Sequence, residues 1–143
     1  MLIAQISDLH IAEADNYMRK FVDANAKLAA AVDYLNAMQL RPDVVLATGD
    51  LTDHGRPEQY ELLAAILAEL DIALLLIPGN HDERESFRDA FGATHPYLPR
   101  QGAIQYVIDD YDVRLIAVDT TVLPQLVVMG RCRCPASTRR TFG

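Results

Sequence analysis

The 143-residue sequence predicts an α/β domain: a parallel β-α-β-α-β unit followed by a short helix and a hairpin that turns the sheet mixed. Three observations predict it. Compact, nearly all-apolar runs at Leu2–Ser7, Val44–Ala47 and Ile72–Ile77 have the pattern of strands covered on both faces. Stretches with apolar residues at helical spacing separate those runs. Each run stops at a polar cluster: Asp8-Leu9-His10, Gly49-Asp50 and Gly79-Asn80-His81-Asp82. Such alternation implies right-handed crossovers and a parallel sheet.

The elements follow in order. After the first strand, positions Met18 to Met38 have helical spacing, with Phe21, Leu28, Val32, Leu35 and Met38 as the apolar stripe. Arg41-Pro42 ends that helix, because proline disfavours the α region for the residue before it. The second strand closes on Thr48-Gly49-Asp50. Pro57 suits the first turn of a second helix, whose buried face is Leu62, Leu63, Ile66, Leu67 and Leu70. Pro78-Gly79 stops the third strand. A short helix is expected from Glu83 to Phe91, then strands Gln105–Ile108 and Arg114–Val118 around an Asp109-Asp110-Tyr111-Asp112 turn.

Beyond Thr121 the character changes. Residues 122–143 hold four arginines and no acidic residue, and only Leu126–Met129 reads as a strand. Cys132 and Cys134 form a C-x-C pair with no further Cys or His nearby, so they read as incidental thiols. The expected division is therefore 1–121 as the N-terminal part of a domain and 122–143 as an atypical basic tail.

The length fits one domain with a real core. A formal net charge of −7 argues against a surface that coats nucleic-acid polymers. No apolar stretch approaches the roughly 18–20 residues that cross a bilayer, so no membrane partner is expected. The start, MLIAQISDLH, lacks a basic region and a small-residue cleavage site, which makes a cytoplasmic location the default expectation. An acidic body repels a phosphate ester, and bound cations would reverse that local field. Solubility alone would also explain the acidity.

The chemistry lies in the three clusters. A strand's period of two sends Asp8 and His10 to the same side, where they can chelate one ion. Asp50, Asn80 and His81 follow glycines at the ends of the second and third strands. Ligands of open α/β sheets bind outside the carboxyl ends of strands, so the clusters are expected to converge. Carboxylate, imidazole and amide groups together suit divalent cations. Taken singly, a D-x-H triplet is commonly a surface pair, and Gly-Asp and Gly-Asn are common turns. Coincidence of all three, in phase with three strands, favours a site.

These clusters, within ISDLH, GDLTDHGRPEQY and LLLIPGNHDERESF, resemble the calcineurin-like metallophosphoesterase superfamily, in the branch of bacterial cyclic-nucleotide phosphodiesterases and glycerophosphodiesterases. The resemblance covers roughly residues 1–121. It implies the N-terminal portion of a metallophosphoesterase-type α/β/β/α sandwich. It also implies two divalent ions of the Fe, Mn, Zn or Co type, with Asp8 and His10 on the first, Asp50 bridging both and Asn80 on the second. Asn80 and His81 would contact the substrate; His81 would stabilise the phosphate or the leaving oxygen, with Asp82 orienting it. A metal-bound hydroxide would attack a cyclic nucleotide or small glycerophosphodiester. His54 would stand at the rim, and His95 would serve packing or face solvent.

The family pattern also draws on His-His-Pro and Gly-His-x-His segments, and neither occurs in these 143 residues. Gly130-Arg131-Cys132 stands where imidazoles are expected, as a truncated or frameshifted reading would produce. The second ion is then left with two ligands, Asp50 and Asn80. Two alternatives to an active enzyme follow: a catalytically incomplete fragment of the fold, or an interaction module that only binds divalent ions. An uncovered sheet face would promote association into homo-oligomers.

Overall fold

A computed structural model describes residues 1–13 and 22–121. The elements run β1 (Ile3–Ser7), α1 (Ala24–Ala37), β2 (Val44–Thr48), α2 (Pro57–Leu67), β3 (Leu74–Ile77), α3 (Arg84–Phe91), β4 (Tyr106–Ile108) and β5 (Leu115–Ala117). Met18 and Phe21, the Leu126–Met129 strand candidate and both cysteines lie outside the described residues. No described helix is long and apolar enough to cross a membrane.

The first sheet has the order β1-β2-β3 and is wholly parallel. Its register places Ser7 opposite Thr48, and Thr48 opposite Ile77. The three strands therefore end level, and the three polar clusters leave from one rim. The helices cover one face. There Leu28, Val32, Ala47, Leu63, Leu67, Leu76, Phe87 and Phe91 share a core.

Two helices depart from expectation. α1 ends at Ala37, where Met38 turns to an extended conformation, so the stop precedes Arg41-Pro42. Asp23 caps its start by accepting from the Ala26 amide at 3.1 Å. α2 begins at Pro57 as expected but buries Gln59, Tyr60, Leu63 and Leu67. Leu62 stays 38% exposed, because it lies about 100° around the helix from Leu63, off the i, i+3/i+4 face.

Among the described residues the hairpin pairs only with itself and does not extend the first sheet. It forms a second layer against the sheet's other face, with a cleft of about 200 Å³ lined by Leu46, Thr48, Leu75 and Ile77 opposite Tyr106 and 115–118. Among the described residues, tyrosines rather than a further strand lie beside β3. The Tyr97 hydroxyl donates to the Leu74 carbonyl and accepts from the Leu76 amide, both at 3.1 Å. The Tyr106 hydroxyl donates to the Leu76 carbonyl at 2.7 Å. These contacts satisfy the outward backbone groups that an edge strand leaves open. Ile3 of β1 and Val107, Ile116 and Val118 of the hairpin region remain exposed.

A buried ion pair joins the end of the hairpin to α3. Asp119, whose side chain is fully buried, accepts from Arg84 Nε at 2.7 Å and from the Ile104 and Thr121 amides at 2.8 and 2.9 Å. Burial alone would raise its carboxyl, but the hydrogen bonds from Arg84, Thr121 and Ile104 outweigh burial and hold it well below the usual carboxylate range. A carboxyl depressed by folding contributes stability that is fully present above its unfolded value of about 3.9 and is lost as pH falls below it. Thermal melts from pH 6 to pH 2 are therefore expected to show the gap between the wild type and Asp119→Asn narrowing once pH drops under about 4.

Candidate metal centre

The chains leaving β1 and β2 stay paired past the strand ends. Asp8, His10 and Ile11 amides donate to the Gly49, Asp50 and Leu51 carbonyls at 3.2, 2.9 and 3.1 Å, and Ile11 bridges Thr52 in parallel. This pairing is bought with strain. Asp8, His10 and Asp50 have φ of 55°, 44° and 44°, the left-handed region that non-glycine residues seldom adopt. The period-two argument for Asp8 and His10 therefore fails, since β1 ends at Ser7. The tight turns bring the side chains together instead.

Ligand atoms of Asp8, His10 and Asp50 lie within 4.8 Å of one another. Nε2 of His10 is 3.9 Å from Oδ2 of Asp50. Cation bonds of about 2.1 Å place ligands roughly 3–4 Å apart, so a small contraction would suit an ion. Asn80 lines the same cleft as Asp8, Asp50, Thr120 and Thr121, a space of about 530 Å³. Gly79 permits this approach: a Cβ there would collide with the Asp50 amide nitrogen and Oδ1.

His81 stands edge-on to His10, with ring centroids 4.9 Å apart. Its amide donates to Asp50 Oδ1 at 3.1 Å, and its Nδ1 lies 2.8 Å from the Asp53 carbonyl, which makes Nδ1 the donor and leaves Nε2 available. That hydrogen bond raises the His81 pKa against the opposing effect of burial, and the charges of Asp50, Asp53 and Asp82 add to the rise.

The ring contact expected of Asp82 is thus made by the Asp53 carbonyl. Asp82 instead accepts five hydrogen bonds: from the Leu51, Thr52 and Gly79 amides at 2.9, 3.0 and 2.8 Å, and from the Thr52 and Tyr60 hydroxyls, both at 2.9 Å. It ties the loop after β2 to the loop after β3. Burial, then the negative Asp82, push the Tyr60 phenol far above its ordinary value, keeping it a donor.

Sequence reasoning missed Asp53, whose carboxylate lies 3.7 Å from His10 Nδ1 and 3.6 Å from His54 Nε2. Only its place three residues beyond Asp50 hinted at it. Gln59 was missed as well; fully buried, it accepts from the His54 amide at 2.8 Å and donates to Glu13 at 2.6 Å. His54 is about half-exposed. His95 packs edge-on against Phe91 and Tyr97, and burial lowers its pKa.

Residues 1–125 match the family of calcineurin-like phosphoesterases. The sequence is 38% identical over 126 residues to the glycerophosphodiester phosphodiesterase GpdQ of Enterobacter lignolyticus, covering 85% of this chain and 44% of that protein. It is 33% identical over 125 residues to a cAMP/cGMP dual specificity phosphodiesterase of Mycobacterium tuberculosis, covering 85% and 38%. Against the 3',5'-cyclic adenosine monophosphate phosphodiesterase CpdA of Pseudomonas aeruginosa, identity is 27% over 122 residues, covering 85% and 42%. The chain spans less than half the length of these curated relatives.

Proposed function

Because the chain belongs to the calcineurin-like phosphoesterase family, we propose that it carries the metal-binding half of a phosphodiesterase acting on a cyclic nucleotide or a small glycerophosphodiester. One observation carries this reading: carboxylates and an imidazole from two separate strand ends meet within 4.8 Å. Relatives named for both substrate classes support the choice of diester. A cleft of about 530 Å³ suits a small substrate.

The donor set fits divalent ions of the Mn, Fe, Zn or Co type. Asp8 and His10 would hold the first ion, Asp50 would share its carboxylate between two, and Asn80 would offer its amide oxygen to the second. Bound there, the ions supply charge neutralisation at the phosphoryl group and a water acidic enough to ionise near neutral pH. His81, with Nδ1 committed to Asp53, keeps Nε2 for a phosphoryl or departing ester oxygen. Asp82 acts through rigidity, holding Gly79 and Leu51 so that Asn80 and Asp50 stay in register.

A second reading, an ion-binding domain without turnover of its own, is favoured by ligand count. Among the described residues the second ion would find only Asp50 and Asn80. Hydrolysis of bis(4-nitrophenyl) phosphate with and without Mn²⁺ separates the two. Mn²⁺-dependent turnover that disappears in Asp50→Gly is the expected result. Mn²⁺ binding without turnover selects the second reading, and failure to bind Mn²⁺ overturns both.

A further inference from the structure

The geometry points to Asp53 as a positioning residue: its carboxylate faces Nδ1 of His10 and keeps that imidazole's Nε2 presented toward Asp50. This rests on the metal-binding reading above and deepens it. Asp53 reaches His10 through backbone pairing, since its amide donates to the Ile11 carbonyl at 3.1 Å, next to the bridge between Ile11 and Thr52. Its Oδ1 lies 3.7 Å from His10 Nδ1, while Nε2 on the opposite edge of that ring lies 3.9 Å from Asp50 Oδ2.

A neutral imidazole has one N–H and one lone pair. To serve an ion beside Asp8 and Asp50, His10 must carry its proton on Nδ1. A carboxylate on that edge favours this form and fixes the ring plane, as outer carboxylates do for metal-ligating histidines. The Asp53 side chain is 22% exposed, so water screens it only in part.

His10, Asp53 and His81 also gather ligand atoms within 4.8 Å. They do not make a separate ion site, because neutral His10 has a single lone pair, and the ion beside Asp8 and Asp50 would take it. The trio is a supporting layer behind Asp8, His10 and Asp50.

The test compares the wild-type chain with Asp53→Asn and Asp53→Ala by two readouts. Long-range ¹H–¹⁵N NMR on metal-free protein at pH 8 reports which His10 nitrogen holds the proton. The Nδ1–H form is expected to dominate in the wild type, to persist largely in Asp53→Asn, whose amide oxygen still presents negative charge to that edge, and to give way to Nε2–H in Asp53→Ala. Titration with Mn²⁺ alone is expected to show about 10–100-fold weaker binding in Asp53→Ala and a smaller loss in Asp53→Asn. A merely structural Asp53 would lower the melting temperature without moving the His10 proton. An unchanged His10 proton position in Asp53→Ala overturns the inference. If the wild type binds no Mn²⁺, the metal reading fails, and the NMR readout still decides what Asp53 does to His10.

Discussion

Replacing Asp82 with alanine is expected to cost about 3–5 kcal/mol of folding stability, because donors from two loops and a helix lose their shared acceptor at once. Five hydrogen bonds end on its carboxylate. A bond to a charged acceptor contributes roughly 1.5–3 kcal/mol, but the partly buried site lets water rescue some of the freed donors, so the sum is discounted. The Tyr60 hydroxyl is the donor least able to find water, since Tyr60 is fully buried. Asp82→Asn should cost less than alanine, because the amide keeps one acceptor oxygen, yet its NH₂ would face donors. Urea denaturation at pH 7 measures both. A loss under about 1 kcal/mol for alanine would show that the five contacts carry little net energy.

Asp50→Gly is expected to leave the metal-free fold nearly as stable while weakening Mn²⁺ binding by more than about a hundredfold. Two terms oppose each other in the fold. Glycine relieves the left-handed strain at φ 44°, about 1 kcal/mol or more. The same change deletes the bond from the His81 amide to Oδ1, roughly 1 kcal/mol. In binding nothing compensates, because the lost group is the carboxylate assigned to both ions. Losing a supporting outer residue weakens a site about 10–100-fold, and losing a shared ligand should exceed that. Urea denaturation with and without Mn²⁺ reads both effects on one sample, since ligand bound to the native state adds to its stability.

Much of this was legible because the parallel strands are short, apolar and punctuated. The runs ending at Ser7, Ala47 and Ile77 announced themselves by composition, and level strand ends then brought Asp8, Asp50 and Asn80 to one rim. Period and propensity were silent about what happens past those ends. Asp8 and His10 leave the strand in left-handed turns stabilised by the loop after β2, a pairing between segments some forty residues apart. Asp53 meets His10 through that same long-range pairing. Beyond Gly79, three residues before it, Asp82 gains its partners from the loop after β2 and from Tyr60 of α2, neither of which a local window contains. The hairpin was visible as two strands, but its partner was not: tyrosines occupy the β3 edge, so it lies across the sheet. On α2, counting leucines favoured Leu62, where the buried face runs through Gln59, Tyr60, Leu63 and Leu67.

The grouping of Asp8, His10 and Asp50 around a cation is tested most directly by anomalous diffraction from crystals of the chain equilibrated with Mn²⁺. The account predicts a manganese peak with oxygen and nitrogen ligands from these three residues at about 2.0–2.3 Å. Density only elsewhere at saturating Mn²⁺, with the Asp8 and Asp50 carboxylates turned apart, would contradict it.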